Sequence, residues 1–179
     1  MKSRYKVVDP EGVYFVSSTI VEWIPVFISE SLFDIIINSL NFCKKEKDLK
    51  IYAYVIMPEH LHMIVSSCKL IEIMKSFKRH TAKAILEYYK TTKKYQILNQ
   101  FYFYKKRNKI ESNYQVWQEG FHPQLMSSID MIDQKIQYIH LNPVRKGFVN
   151  KPEDWKYSSA CNVDFDGNEI IKLDNLDFV

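Results

Sequence analysis

The spacing of apolar residues along the chain predicts a mixed succession of strands and helices. Runs rich in β-branched and aromatic residues at 13–21, 51–57 and 60–67 predict three strands. Apolar residues that recur every three to four positions predict amphipathic helices over 30–47 and 71–89. The second and third strands are separated only by a Pro-Glu pair, which is typical of a tight hairpin.

The second half of the chain is predicted to add one strand and one helix. Residues 114–126 have a strand-like composition, with a bend or interruption expected where a glycine and a proline occur. Residues 130–141 have helical spacing and follow two serines that could cap the helix, Ser127 and Ser128. Pro143 disfavours helical geometry at the residue before it, so this helix is expected to end near Asn142.

The order of these elements predicts an α+β fold in one domain over residues 1–179. The first six elements follow the βαββαβ order of a ferredoxin-like, or RRM-like, antiparallel sheet with helices on one face. In that arrangement the strand after the hairpin turn, at 60–67, is central. A pair of functional side chains on this strand would therefore be rigidly mounted.

Charge is unevenly distributed and favours a polyanionic partner. The whole chain has a formal charge of +4, and residues 161–179 contain five acids and one base, a net −4, which leaves +8 on residues 1–160. Aromatic residues make up 15% of the chain, which suits stacking on unpaired bases. On charge alone, the candidate DNA contacts are basic residues of the second helix and of the aperiodic segment 95–112, expected to be a loop: Lys78, Arg79, Lys105, Lys106 and Arg107.

Other features of the composition exclude several classes of protein. No apolar run approaches membrane-spanning length, and the first residues contain no apolar signal region, so a cytoplasmic location is expected. The three cysteines are odd in number and widely separated, which favours ordinary thiols over disulfides. Only four glycines are present, none in a phosphate-binding loop, and we expect no organic cofactor.

His60 and His62 form the first candidate site. Side chains two residues apart on a strand leave the same face, with their Cα atoms roughly 6.6 Å apart. Two neutral imidazoles at this separation can bind one divalent metal ion. A His-x-His pair also arises by chance, so on its own this pair does not distinguish a metal site from two structural histidines.

Tyr138 and Asn142 form a second pair, on the last predicted helix. A spacing of four residues places them on one helical face. Tyr138 is then either a nucleophile or a half-buried core aromatic, and Asn142 is either an oxygen ligand or the residue at which the helix stops. His140 lies two positions from each and should face elsewhere, so it is not a candidate ligand.

Three segments together resemble a known family. They are MPEHLHMIV at 57–65, YIHLNPVRKGFV at 138–149 and WKYSSA at 155–160. Taken together, they resemble the REP-associated tyrosine transposases, which group with the single-strand insertion-sequence transposases in the HUH superfamily. The similarity covers about 13–160, and the acidic extension at 161–179 lies outside it.

The resemblance implies a role for each residue that matches the family pattern. His60 and His62 would bind a divalent ion, Mg²⁺ or Mn²⁺, and Asn142 matches a position at which related enzymes place an amide ligand. Tyr138 would be the catalytic nucleophile, and Arg145 would contact phosphate. The implied fold is that of an HUH endonuclease.

The resemblance also implies a function and a partner. The protein would cleave and rejoin single-stranded DNA through a 5′-phosphotyrosine intermediate, acting on palindromic hairpins as a monomer or a homodimer. The alternative is a catalytically inactive nucleic-acid-binding module with the same fold.

Overall fold

A four-stranded antiparallel sheet organises the protein. The structure is a computed structural model, and it describes residues 7–106, 112–164 and 166–176. The strands are β1 (Tyr14–Thr19), β2 (Lys50–Met57), β3 (His60–Ser66) and β4 (Gln124–Leu125). The helices are α1 (Glu30–Lys47), α2 (Leu70–Thr91), α3 (Tyr95–Phe103) and α4 (Ile129–Arg145), with short 3₁₀ turns at Val21–Trp23 and Pro152–Asp154.

The strand order is β2-β3-β1-β4, which is the order of a ferredoxin-like sheet. β3 pairs along its length with β1 on one side and β2 on the other, and its partners run antiparallel to it. The prediction that β3 is central is therefore confirmed, as is the α+β, ferredoxin-like fold. β4 contributes only two residues, which pair with the start of β1.

Alternation along the strands creates two cores, one on each face of the sheet. Leu61, Met63 and Val65 of β3 pack with α1 and α2 on one face. Ile64 packs with Ile139 of α4 on the other face. The prediction of helices on one face holds for α1 and α2, whereas α4 covers the opposite face and closes over the side of β3 that carries the histidines.

Two of the sequence-based boundaries were wrong. Residues 95–103 form α3 rather than a loop, because Leu98 and Phe101, one helical turn apart, are buried together against the main core. α4 also continues through Pro143 to Arg145. The amides of Lys146 and Phe148 donate to the carbonyls of Asn142 and Pro143, so the last turn is satisfied beyond the proline.

The predicted strand over 114–126 is mostly irregular. Only Gln124 and Leu125 pair as a strand, and Trp117 makes an isolated bridge to Ile20. Gly120 has a φ of 73°, a left-handed conformation incompatible with an extended strand. Among the residues described, no helix is long and apolar enough to cross a membrane.

Candidate active site

The centre of the candidate site is the imidazole pair on β3. His60 and His62 leave the same face of the sheet, and their ring centroids lie 4.6 Å apart. His60 is 2% exposed, and His62 is partly buried against Phe15, on which its ring stacks at 5.3 Å. The strand geometry expected from the sequence thus brings the two rings together in a largely dehydrated place.

Each imidazole is oriented through its Nδ1 atom. His60 Nδ1 lies 3.1 Å from Glu59 Oε1, and His62 Nδ1 lies 2.7 Å from Ser17 Oγ. Such partners select the tautomer and fix the ring plane of metal-binding histidines. The Nε2 atom of each ring is therefore the one left to coordinate a ligand.

Helix α4 brings Tyr138 and Asn142 to this pair. The Tyr138 ring lies 5.4 Å from the His62 ring and 6.0 Å from Phe15, and the residue is half-buried. Asn142 is 7% exposed and lies against His60. Within the described part of the chain, no hydrogen bond of ordinary geometry reaches its buried Oδ1 atom, although the amide lies close enough to His60 to raise the pKa of that ring.

This donor set fits a divalent metal ion. A buried, unpartnered amide oxygen is costly unless something else binds it, and here it lies beside two imidazoles with oriented Nδ1 atoms. Within the described residues there is no group of three or more His, Cys, Asp or Glu that could hold a metal. Two nitrogens and one amide oxygen would leave open positions for substrate oxygens.

Both imidazoles are held neutral, which is the form that binds metals. Burial lowers the pKa of His62 to about 3, and the neighbouring His60 and Lys135 lower it further. Burial also lowers the pKa of His60, against the opposing effect of the Glu59 carboxylate. A neutral ring can offer its free nitrogen to a cation without first losing a proton.

Three cations surround the site. Lys135 Nζ lies 5.6 Å from the centroid of the Tyr138 ring, and the Arg145 guanidinium carbon lies 5.7 Å from it. Lys146 Nζ lies 3.4 Å from Glu59 Oε1. Positive charge is therefore concentrated around the site, which favours the binding of an anionic group.

Two of the other predicted DNA contacts, Lys78 and Arg79, lie away from this centre. Lys78 is on α2, which covers the opposite face of the sheet, and its Nζ donates to the carbonyls of Gln118, at 2.6 Å, and Gly120. Arg79 lines the same groove of about 730 Å³ between α2 and the segment that precedes β4.

The basic residues after α3 are distant from the site in sequence. Lys105 is half-buried, and Lys106 forms an ion pair with Glu119 at 3.0 Å. Arg107 lies outside the described residues. Of the basic candidates that the structure describes, only Arg145 lies beside Tyr138.

The sequence did not lead us to predict the residues that orient the histidines or the lysine that adds positive charge beside Tyr138. Glu59 precedes His60 directly and could have been considered as its partner. Ser17 could be found only by pairing β1 with β3, where it lies opposite His62. Lys135 is one turn before Tyr138 on α4, so the spacing of three residues was a usable signal.

Comparisons with known proteins identify similar transposases. Among curated proteins, the chain is 25% identical over 115 residues to a protein of Haemophilus influenzae assigned as a REP-associated tyrosine transposase. The match covers 60% of this chain, and the chain spans only 56% of that relative's length.

Two solved structures match the chain, and the first of them is similar in fold. One is a REP-associated tyrosine transposase bound to a REP hairpin, at 17% identity and a TM-score of 0.68, covering 99% of this chain and 95% of the other. A second is a protein of Deinococcus radiodurans assigned as a transposase, at 16% identity and a TM-score of 0.44, covering 78% and 95%.

The family model described as "Transposase IS200 like" matches residues 25–142. That range is more than half of the chain, and it includes both histidines of β3 together with Tyr138 and Asn142 of α4. The chain therefore belongs to the IS200-like transposase family.

Proposed function

We propose that this protein is a metal-dependent, single-stranded DNA transposase that cleaves and rejoins DNA through a 5′-phosphotyrosine. The observation that carries the proposal is the placement of the Tyr138 ring 5.4 Å from His62, beside an imidazole pair and an unpartnered amide oxygen. A nucleophile, candidate metal ligands and cations then meet on one face of the sheet. These are the parts that phosphodiester cleavage requires.

Palindromic hairpin DNA is the proposed substrate. Family membership supports a transposase, and the solved relative with a TM-score of 0.68 was captured with a REP hairpin. The positive charge on the body of this chain is consistent with a nucleic acid partner. Inverted palindromic repeats flanking the gene would therefore be the first oligonucleotides to try.

Tyr138 supplies the nucleophilic oxygen in the proposed mechanism. The phenol oxygen bonds to phosphorus as the bond from phosphorus to the 3′-oxygen breaks. The phenol gives up its proton, and the departing 3′-oxygen takes one up as a free hydroxyl. The covalent link conserves the phosphoester, so that a 3′-hydroxyl can later attack it and rejoin two ends without ATP.

His60, His62 and Asn142 would hold the metal ion, Mg²⁺ or Mn²⁺. When bound, such an ion polarises phosphate oxygens and offsets charge on the leaving oxygen. Two imidazole ligands favour Mn²⁺ over Mg²⁺, which prefers oxygen. The protein holds the two imidazoles in fixed orientation through Glu59 and Ser17, and α4 brings Asn142 beside them.

The cations around Tyr138 would position the phosphate. Lys135 and Arg145 both lie within 6 Å of the centroid of the Tyr138 ring and can pair with phosphate oxygens that approach its hydroxyl. Holding the phosphate against the nucleophile makes the reaction between them effectively unimolecular. Arg145 is exposed, so a DNA strand can reach it from solvent.

The test is formation of a covalent adduct with labelled hairpin DNA that carries a single-stranded flank. Wild type should give a denaturant-resistant adduct containing the fragment 3′ of the cut, because the 5′-phosphate stays on tyrosine. Tyr138→Phe should bind the hairpin and form no adduct. Tyr102→Phe, an exposed tyrosine on α3, is the matched control and should react as wild type does.

The outcome also separates the two candidate functions. Hairpin binding by wild type with no adduct under any divalent metal would favour the alternative, an inactive nucleic-acid-binding module of the same fold. An undiminished adduct in Tyr138→Phe would assign the nucleophile to another residue.

A further inference from the structure

The turn after β1 has an unusual backbone. Glu22 has a φ of 50° and Trp23 a φ of 56°, so two consecutive residues with side chains occupy the left-handed region. Residues other than Gly, Asn and Asp seldom adopt a left-handed conformation. Strain of this kind persists only where the surroundings hold it, and it concentrates at functional sites.

Residues on both sides of the turn are firmly anchored. Ile20 and Ile24 are 0% and 6% exposed, and the Ile20 amide donates to the Glu59 carbonyl at 2.9 Å. The Val21 amide donates to the Val116 carbonyl at 2.8 Å. The turn is therefore fixed to the hairpin that carries Glu59 and His60, and its strained conformation is imposed by buried neighbours.

The consequence of this turn is an exposed tryptophan at the edge of the candidate site. Trp23 is 55% exposed, although Val21 and Ile24, close to it in the chain, are buried. Its ring lies 5.6 Å from the His60 ring at an angle of 71°, and Lys146 Nζ lies 5.9 Å from its centroid. A large apolar side chain held next to a dehydrated histidine, and left open to solvent, is suited to receive an aromatic ligand.

We propose that Trp23 stacks on an unpaired nucleobase adjacent to the phosphate held at the site of His60, His62 and Asn142. This inference rests on the proposed function and adds a binding residue to it. A base stacked on the indole places its own phosphate within the field of Lys146 and beside the candidate metal ligands. A duplex presents its bases in pairs, so the platform would favour single strands.

Charge complementarity selects a nucleotide over an apolar protein segment as the occupant. The ring is flanked by the half-exposed Lys146 side chain, and a nucleotide presents an aromatic base and an anionic phosphate in the same unit. Stacking accepts any base because every base has a π-face. Trp23 would therefore strengthen binding of unpaired DNA at the cleavage position without reading its sequence.

The experiment measures hairpin binding at one salt concentration for wild type, Trp23→Ala, Trp23→Phe and a control. The control is Phe42→Ala on α1, because Phe42 is also 55% exposed and lies on the helix layer across the sheet. The DNA is a palindromic hairpin with a single-stranded flank in which each nucleotide in turn is made abasic. We expect Trp23→Ala to raise Kd roughly 5- to 100-fold, Trp23→Phe to raise it less, and Phe42→Ala to leave it unchanged.

Abasic scanning provides the decisive comparison. At one position, removal of the base should raise the Kd of wild type by about the same factor as Trp23→Ala raises it with intact DNA. The same abasic DNA should raise the Kd of Trp23→Ala little further. DNA should also quench the emission of wild type more than that of Trp23→Phe, since the other two tryptophans are less accessible: Trp117 is 4% exposed and Trp155 is half-buried. This second readout remains informative even if Trp23→Ala folds poorly.

Two results would overturn the inference, and both can be distinguished from results that contradict the proposed function. Equal Kd values for Trp23→Ala and Phe42→Ala would remove Trp23 from the DNA site. Fully additive losses from Trp23→Ala and from every abasic position would do the same. If wild type binds the hairpin and forms the Tyr138 adduct, either result refutes only the role of Trp23, whereas absence of binding by wild type refutes both proposals.

Discussion

The ring of Tyr138 lies 5.4 Å from the imidazole of His62 in the same polypeptide, with the two planes at 62°. Both side chains are held on rigid elements, one on α4 and the other on the central strand β3. One chain therefore contains the proposed nucleophile and the proposed metal ligands close enough to act on the same phosphate. We therefore expect catalysis within one chain rather than across a dimer.

Mixing two inactive variants tests this directly. Tyr138→Phe retains the histidines, and the double variant His60→Ala, His62→Ala retains the tyrosine. If each tyrosine serves the histidines of its own chain, an equimolar mixture should form no adduct above background. Recovery of a substantial fraction of wild-type adduct would indicate that the tyrosine acts in a partner's site.

Metal removal should separate cleavage from binding. Chelator is expected to abolish the adduct, and Mn²⁺ or Mg²⁺ to restore it, whereas hairpin affinity should change little because phosphate contacts by basic residues dominate it. His60→Ala, His62→Ala and Asn142→Ala should each reduce adduct formation at least tenfold. Gel analysis of adduct beside a binding titration measures both, and full activity in chelator would contradict the metal mechanism.

The partners of the two Nδ1 atoms should tune metal affinity. Glu59→Ala and Ser17→Ala remove the groups that orient His60 and His62. Losses of about 10- to 100-fold in Mn²⁺ affinity are expected for such changes, measured by calorimetric titration. Ser18→Ala is the matched control because Ser18 is the neighbouring residue on β1 and faces the other side of the sheet. Equal affinities in all three variants would exclude the orienting role.

Stability of the metal-free protein should depend on pH through the buried histidines. The pKa of His62 is about 3 in the folded protein and about 6.5 in an unfolded chain. Between these values the unfolded state binds the extra proton, so the free energy of unfolding should fall as pH drops below 6.5, by at most about 1.4 kcal/mol per pH unit for this group. The lowered pKa of His60 acts in the same direction.

Denaturant unfolding in chelator between pH 7 and pH 5 measures this dependence. His62→Gln removes one titrating group and should flatten the decline in the free energy of unfolding. A decline equally steep in His62→Gln would show that other groups cause it.

Salt dependence of hairpin binding should reveal the phosphate contact of Arg145. Removing one contact to a single strand reduces the slope of log K against log salt by about 0.7. Arg145→Ala should show that reduction together with weaker binding, measured by anisotropy at several salt concentrations. Lys45→Ala is the control, since Lys45 is 83% exposed on α1, across the sheet from Tyr138, and an unchanged slope in Arg145→Ala would contradict the assignment.

The sequence by itself determined the local geometry of the site residues. The period of two on a strand puts His60 and His62 on one face of β3, and the period of 3.6 on a helix puts Tyr138 and Asn142 on one face of α4. The order of apolar runs was sufficient for the ferredoxin-like sheet and for the bounds of α1, because these patterns depend on residues close in the chain. The resemblance to transposases used the same short segments.

Only the tertiary structure decided which faces meet. That α4 covers the histidine side of β3 depends on two cores packing on opposite sides of the sheet, and no periodicity within α4 specifies which side it takes. The contact of Ser17 with His62 joins residues 45 positions apart, and Lys78 turns toward backbone carbonyls 40 and 42 positions away. Such contacts are set by the packing of whole elements, whose energy is shared among many residues that are distant in sequence. For the same reason no sequence pattern singled out Trp23, which buried neighbours on both sides hold exposed beside His60.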